Sequence, residues 1–268
     1  MMKHQGKKIL MTKMLITTSL SFYITKPTLT TLHVPQVNQI ETTSPLSKNS
    51  LPNLRILALG DSITFGFSST TGNGYRAQLQ SMLNNTFPSV TYIGSQSSGN
   101  MSNNVHEGYP GAVIHEIASK ALPSLAQQPN LILVMAGTND VARPYEPDDA
   151  PRRLGVLIDS LVLNCPSSAI IAAQLPPITD PPNGQKLLEV FNAEIPEIIA
   201  VRQRAGKKVL LVDMSRGFSN ADLQDGLHPN NQGYDKIANK WYSGTQQVSS
   251  FGWIQEPIPV NKGKGSLN

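Results

Sequence analysis

From Leu54 onwards, short apolar segments alternate with longer segments of helical periodicity. Five short segments have the composition of buried strands: residues 54–59, 90–93, 131–136, 169–173 and 209–212. Five longer segments place apolar residues three and four apart: residues 75–84, 112–125, 148–163, 185–204 and 231–243. Strands that alternate with helices form parallel sheets covered by helices on both faces. The sequence therefore predicts an α/β fold, a three-layer α/β/α sandwich around a central five-stranded parallel sheet.

The segments outside this alternation set the predicted domain boundaries. Residues 25–53 are rich in Thr, Ser, Pro and Asn and lack periodicity, which is typical of a linker. We therefore expect residues 1–53 to precede the domain, residues 54–245 to form it, and residues 246–268 to be a C-terminal tail. Within the domain, Pro196 predicts a kink or a break in the helix over 185–204.

The first residues of the chain resemble a secretory signal. Three lysines and a histidine lie within residues 3–8, and residues 14–24 are moderately apolar. This apolar segment is too short and too polar to span a bilayer, and no Ala-x-Ala cleavage site precedes Ala58, the first alanine. We expect a secreted, extracellular protein without stable membrane insertion. In a secretory pathway, Asn84 and Asn100 match the glycosylation acceptor pattern.

Charge and cysteine content exclude several classes of protein. The 22 Lys and Arg residues exceed the 18 Asp and Glu residues only slightly and form no basic stripe, so we expect no nucleic-acid partner. Cys165 is the only cysteine, which excludes an intramolecular disulfide, and its position before Pro166 predicts a buried structural thiol. His106, Glu107 and His115 lack a paired metal-ligand motif elsewhere, so we expect no metal and no cofactor.

Polar residues follow three of the predicted strands. Ser62 follows the first strand within a Gly-Asp-Ser turn, Asn139 follows the third, and Asp225 and His228 follow the last. Because the carboxyl ends of parallel strands meet at one edge of the sheet, these side chains are expected to lie close together. A serine hydroxyl becomes a strong nucleophile when an imidazole, held by a carboxylate, takes its proton. The pattern therefore indicates a catalytic triad of Ser62, His228 and Asp225.

Four motifs occur in the order found in the SGNH hydrolases, also called GDSL esterases/lipases. They are Gly-Asp-Ser-Ile-Thr at 60–64, the glycine at 108 within His-Glu-Gly-Tyr-Pro-Gly, Gly-Thr-Asn-Asp at 137–140 and Asp-Gly-Leu-His-Pro at 225–229. The resemblance spans about residues 54–243, and Ile63 replaces the leucine of the family's nickname.

The resemblance implies a flavodoxin-like three-layer fold and a role for each residue. Ser62 would attack an ester carbonyl, His228 would act as general base and then general acid, and Asp225 would orient the imidazole. The backbone N–H groups of Ser62 and Gly108 and the side-chain amide of Asn139 would hold the oxyanion. Asp61 is expected to support the turn, and Asp213 to be structural.

Further motifs resemble one subgroup of this family. Gly-Tyr-Arg at 74–76, Tyr-Ile-Gly-Ser at 92–95, His-Glu-Gly-Tyr-Pro-Gly at 106–111 and Met-Ala-Gly-Thr-Asn-Asp at 135–140 are similar to those of microbial, particularly fungal, acetyl xylan esterases of carbohydrate esterase family three. This implies hydrolysis of short acyl esters, with removal of acetyl groups from plant cell-wall polysaccharide such as acetylated xylan. Tyr75, Tyr109 and Tyr145 are candidate sugar-contacting rings, and core packing is an equally good interpretation of each.

Other interpretations remain open from the sequence. The enzyme alternative is a general short-chain carboxylesterase or lysophospholipase, although no long apolar insertion provides a lid. The alternative without activity is a carbohydrate-binding protein that keeps the SGNH fold. Taken singly, Ser62 could cap a turn, Asn139 could form an Asx turn and His228 could be a loop histidine. A nucleotide-binding role is excluded, because no Gly-x-Gly-x-x-Gly or Walker pattern follows the first strand. The oligomeric state stays open.

Overall fold

Seven strands form one mostly parallel sheet in residues 50–143 and 145–260, the residues that the computed structural model describes. They are β1 (Leu54–Gly60), β2 (Val90–Ile93), β3 (Gln96–Ser97), β4 (Val105–Gly108), β5 (Leu131–Met135), β6 (Ala169–Gln174) and β7 (Val209–Asp213). The expected signal segment and most of the expected linker lie outside the described residues.

The sheet confirms the α/β class and the five predicted strands but is larger than predicted. The strands β3 and β4 pair antiparallel with each other, and the end of β4 pairs parallel with β1. Sequence periodicity missed both strands because β3 has two residues and β4 places a buried histidine and glutamate where a strand of the core would be apolar.

The strand β1 lies in the middle of the sheet. On one side it pairs parallel with β5, which is followed by β6 and β7. On its other side, the first half of β1 pairs with β2 and its last residues pair with β4. The residues of β1 from Ile56 to Leu59 are all fully buried, as expected for a strand covered on both faces. The carboxyl ends of β1, β5 and β7 therefore point to the same edge.

Seven α-helices flank the sheet in the described part of the chain. They are α1 (Ser62–Phe65), α2 (Arg76–Thr86), α3 (Ile114–Leu125), α4 (Thr138–Ala142), α5 (Ala150–Asn164), α6 (Gly184–Arg204) and α7 (Asn231–Ser250). The helices α2 and α7 pack against each other, as do α3, α5 and α6 in succession. All five predicted helices are present. The two helices that sequence analysis missed, α1 and α4, span only four and five residues, too few to show a periodic pattern.

Two details of the helices differ from the predictions. The helix α6 continues through Pro196 as one element, so no break occurs there. The helix α7 continues to Ser250 because its last turns still bury Val248 against the core. The chain then returns along the domain, where Ile254 is buried and Glu256 accepts hydrogen bonds from Asn53. The range 246–268 therefore begins with ordered, packed structure rather than with a loose tail.

Cys165 lies at the end of α5 and is 2% exposed. Its burial raises the pKa of the thiol to about 11, so the group stays protonated and unreactive near neutral pH. The prediction of a buried structural thiol is confirmed. Among the described residues, no helix combines the length and the apolarity needed to cross a membrane.

Candidate active site

Ser62 is placed by a tight turn between β1 and α1. Asp61 caps the helix, because its Oδ1 accepts the backbone N–H of Ile63 at 2.9 Å. Gly60 allows the close approach of β5, since a Cβ there would overlap the carbonyl oxygen of Met135. Ser62 is thus the first residue of a helix, where no earlier helical carbonyl can accept its N–H. The expectation that Asp61 supports this turn is confirmed; it is fully buried, and that burial raises its pKa.

Asp225 and His228 lie on a small hairpin between β7 and α7. Leu223 and Pro229 pair across its base, and the N–H of Gln224 donates to the carbonyl of His228 at 2.8 Å. At the tip, the Oδ1 of Asp225 accepts the backbone N–H of His228 at 2.7 Å. The aspartate therefore fixes the backbone of the segment that carries the histidine.

The hairpin brings His228 between Ser62 and Asp225. The Oγ of Ser62 lies 2.9 Å from the Nε2 of His228, and the Nδ1 of His228 lies 2.7 Å from the Oδ2 of Asp225. With the Nδ1 proton donated to the carboxylate, Nε2 is left as the acceptor of the serine proton. These three side chains have the mutual geometry that activation of a serine requires.

Opposing effects act on the carboxylate of Asp225. Its partial burial raises the pKa, but the hydrogen bonds from the backbone and ring of His228 and from the backbone of Leu227 together hold the pKa below the ordinary value. The group is therefore an anion at neutral pH. An anion in this place would stabilise an imidazolium formed at His228 by transfer of a proton from a serine.

Asn139 lies on α4, after β5, and is 6% exposed. Its Oδ1 accepts from the Nη2 of Arg143 at 2.9 Å, and its Nδ2 donates to the carbonyl of Ala112 at 2.9 Å. These two hydrogen bonds fix the orientation of the side-chain amide. They leave one N–H of Nδ2 able to donate to another acceptor. Arg143 was not among the predicted residues, because α4, which ends at Ala142 and brings Arg143 against Asn139, is too short to give a periodic pattern.

A buried ion pair holds α4 in place. The Oδ1 of Asp140 lies 2.8 Å from the Nη2 of Arg153 on α5, and its Oδ2 accepts the N–H of Ile114 at the start of α3 at 3.1 Å. The carboxylate thus joins three helices directly beside Asn139. Asp140 is a structural anchor here.

The backbone N–H of Gly108 is not free to hold an oxyanion. It donates to the Nδ1 of His106 at 2.9 Å, and the residue is buried at the end of β4. Gly111, three residues later, is exposed and accepts from Arg143 through its carbonyl, while its N–H makes no hydrogen bond to another described residue. The structure therefore differs from the expectation for Gly108 and leaves Gly111 as the glycine beside Asn139.

A surface depression of about 380 Å³ opens beside Asn139. Its lining residues are mainly polar: Gly111, Val113, His115, Glu116, Asn139, Arg143 and Tyr145. Of the three tyrosines predicted as sugar-contacting rings, only Tyr145 is well exposed, at 43%. Tyr75 is fully buried in the core, and Tyr109 is half-buried with its hydroxyl donating to Glu107. For Tyr75, core packing is the correct interpretation.

Comparisons with known proteins agree with this geometry. Residues 58–236 match the profile of the GDSL-like lipase/acylhydrolase family, a stretch that contains the serine, the asparagine, the aspartate and the histidine. The chain belongs to that family. The family is one of acylhydrolases, so the match favours a carboxylic ester hydrolase over a binding protein without activity.

Several of the individual relatives that the comparisons found are esterases. A family 3 carbohydrate esterase of Clostridium thermocellum is 29% identical, with a TM-score of 0.66 over 74% of this chain and 98% of that chain. A family 3 carbohydrate esterase of Talaromyces cellulolyticus shares the fold at 23% identity, with a TM-score of 0.64 over 74% of this chain and 99% of that chain. A multidomain esterase of Ruminococcus flavefaciens is 26% identical over 74% of this acylhydrolase, which spans 29% of that protein.

Proposed function

We propose that this acylhydrolase removes acetyl groups from a plant cell-wall polysaccharide such as acetylated xylan, through an acyl-enzyme. The observation that carries the mechanism is the contact of Ser62 Oγ with His228 Nε2 at 2.9 Å. His228 takes the hydroxyl proton as the serine oxygen bonds to the ester carbonyl carbon. The resulting imidazolium is stabilised by the Asp225 carboxylate, and its proton then goes to the departing alcohol oxygen. Water, activated by the same imidazole, hydrolyses the acetyl-serine and restores the enzyme.

The oxyanion is held, in this proposal, by the backbone N–H of Ser62 and by the unused N–H of the Asn139 side chain. Both are neutral donors in fixed positions, and such donors stabilise a charge that develops only in the transition state. Gly111 is a better candidate for a third donor than Gly108, because the N–H of Gly108 is already bound to His106. Each donor of this kind typically lowers the activation free energy of acyl transfer by roughly 3–4 kcal/mol.

A short acyl group suits the surroundings of the site. The depression beside Asn139 is bordered by a histidine, a glutamate, an arginine and a tyrosine, which form a polar surface rather than an apolar channel for a long acyl chain. The 29% identity to a family 3 carbohydrate esterase supports a carbohydrate ester as the substrate class. A general short-chain carboxylesterase is the second candidate, since the triad itself does not select the alcohol.

Substrate competition tests the proposal. We expect acetate release from acetylated xylan and from p-nitrophenyl acetate, with much slower hydrolysis of p-nitrophenyl octanoate and palmitate. Faster hydrolysis of the long-chain esters would contradict the acetyl assignment. Hydrolysis of p-nitrophenyl acetate without acetate release from xylan would favour the general carboxylesterase.

We also propose that the protein is exported. The support is the lysine-rich segment at 3–8 followed by the apolar residues 14–24. Expression in the native host should place the protein in the culture medium, and N-terminal sequencing of the mature form should show whether the first residues are removed. Recovery only from the cell interior, with the first residues intact, contradicts export.

A further inference from the structure

Phe67 is an exposed aromatic ring that touches the ring of His228. The two ring centroids lie 4.6 Å apart with an interplanar angle of 50°, and Phe67 is 49% exposed. A phenylalanine that packs into the core would be buried, and Phe67 is not one of the residues packed against the core cluster. This ring therefore forms part of the surface immediately next to the triad.

The backbone of Phe67 is held in place from both sides. Its N–H donates to the carbonyl of Ser62 at 3.0 Å, and its own carbonyl accepts from the hydroxyl of Tyr234 at 2.6 Å. The following loop is tied to α7, where the Oδ1 of Asn231 accepts the N–H of Thr70 at 3.1 Å. The exposed ring is thus presented by a fixed backbone rather than by a loose loop, and a rigid apolar surface of this kind binds a partner at low entropic cost.

The chemistry of the reaction decides which part of the substrate lies near Phe67. His228 donates its proton to the departing alcohol oxygen, so that oxygen must come within hydrogen-bond reach of Nε2. The oxyanion donor Asn139 lies after β5, on a different segment of the sheet edge from the hairpin of His228. The alcohol half of the ester therefore leaves along the side of His228, which is the side that Phe67 borders.

We propose that Phe67 is a specificity residue that binds the alcohol half of the ester by stacking against the apolar C–H face of its sugar ring. The proposal rests on the proposed function, in which the alcohol is a sugar hydroxyl. It adds the residue that selects a ring-shaped alcohol over a small one. Aromatic side chains supply large contact area with little loss of conformational freedom, which suits this role.

The test compares acetyl esters that differ only in the alcohol. Ethyl acetate, cyclohexyl acetate and acetylated xylo-oligosaccharides all give the same acetyl-enzyme, so differences in kcat/KM between them report on the step in which the alcohol is still bound. The variants are Phe67→Ala, Phe67→Trp as the conservative replacement, and Phe251→Ala as a matched control. Phe251 is also a half-exposed phenylalanine, at 50%, but it follows the far end of α7.

We expect Phe67→Ala to lower kcat/KM for the two ring-shaped alcohols about tenfold more than for ethyl acetate, mainly through KM, a difference that corresponds to ~1.4 kcal/mol. Phe67→Trp should keep the preference, and Phe251→Ala should change none of the three values. An equal fall for all three esters would overturn the proposal, because it would mean that Phe67 only supports His228. Unchanged values in Phe67→Ala would overturn it as well.

The cyclohexyl ester separates this inference from the proposed function. If the unmodified enzyme hydrolyses ethyl and cyclohexyl acetate but not the oligosaccharides, the carbohydrate assignment fails. The ratio of kcat/KM for cyclohexyl acetate to kcat/KM for ethyl acetate still tests the role of the Phe67 ring. A lower ratio in Phe67→Ala than in the unmodified enzyme supports that role, and an unchanged ratio overturns it.

Discussion

The Nδ1 of His106 accepts the backbone N–H of Gly108 at 2.9 Å, and its Nε2 lies 2.8 Å from the Oγ of Ser98. The Ser98 hydroxyl donates to the carbonyl of Phe65, so the imidazole Nε2–H is the donor in its contact with Ser98. His106 is fully buried, and that burial, assisted by the nearby charge of Arg76, lowers its pKa to about 3. The ring is therefore neutral, and protonation would remove the acceptor that holds Gly108.

This buried histidine predicts loss of stability in acid. Because the folded-state pKa of about 3 lies below the value of 6.5 for a free histidine, the unfolded chain binds more protons between these values. The contribution of neutral His106 to the free energy of unfolding is complete above pH 6.5. It is lost progressively as the pH falls towards 3, by on the order of 4 kcal/mol in total. Urea unfolding at a series of pH values measures the free energy of unfolding directly.

Two variants assign this effect to His106. In His106→Gln, which cannot be protonated, we expect lower stability at neutral pH but a shallower decline on acidification. His115→Gln is the matched control, since His115 is exposed and its replacement should leave the decline as it is. If the free energy of unfolding of His106→Gln falls with pH as steeply as that of the unmodified protein, other groups cause the acid sensitivity.

Ser62→Ala should abolish hydrolysis of p-nitrophenyl acetate, with kcat lower by at least about a thousandfold. The change removes the nucleophile and one hydrogen bond to His228, a loss of roughly 1 kcal/mol, so the melting temperature should stay within a few degrees. Turnover and thermal unfolding are measured on the same preparation, with Ser119→Ala, an exposed serine on α3, as control. Retained turnover in Ser62→Ala would refute the assignment of the nucleophile.

Asp225→Asn should lower kcat by roughly 10³–10⁴. The amide has the size of the carboxylate, but its NH₂ group next to Nδ1 favours the tautomer of His228 that cannot accept the serine proton. Because the hydrogen bonds of His228 and Leu227 hold the pKa of Asp225 below its ordinary value, the carboxylate is ionised throughout the range from about pH 5 to 8. The ratio of wild-type to variant kcat should therefore contain no step from titration of Asp225 in that range, and a ratio close to one would argue against this role.

Asn139→Ala should lower kcat by about 10²–10³ with a small change in KM, because the amide acts on the charge of the transition state. Asn239→Ala, at an exposed position on α7, is the control for replacement of an asparagine. Arg143→Ala should cause a smaller loss, since it removes only the group that orients the amide. A fall in substrate affinity without a fall in kcat would place Asn139 in substrate binding instead.

The α/β class, the order of the main elements and the positions of Ser62, Asn139, Asp225 and His228 at strand ends follow from the sequence. The physical reason is local: buried strands and amphipathic helices differ in apolar periodicity, and parallel strands bring their carboxyl ends to one edge. Elements without such a period were missed, namely the strands β3 and β4 and the short helices α1 and α4.

Only the tertiary structure decided which donors are free and which rings are exposed. The sequence motif led us to expect the N–H of Gly108 to hold the oxyanion. The hydrogen bond that occupies this N–H depends on how β4 places His106. In the same way, Tyr75 and Phe67 are both aromatic residues near the serine in sequence, yet one is buried and the other borders His228. The sequence by itself determined the residue types available for the chemistry; the conformation of the folded chain and its contacts decided which of them the site can use.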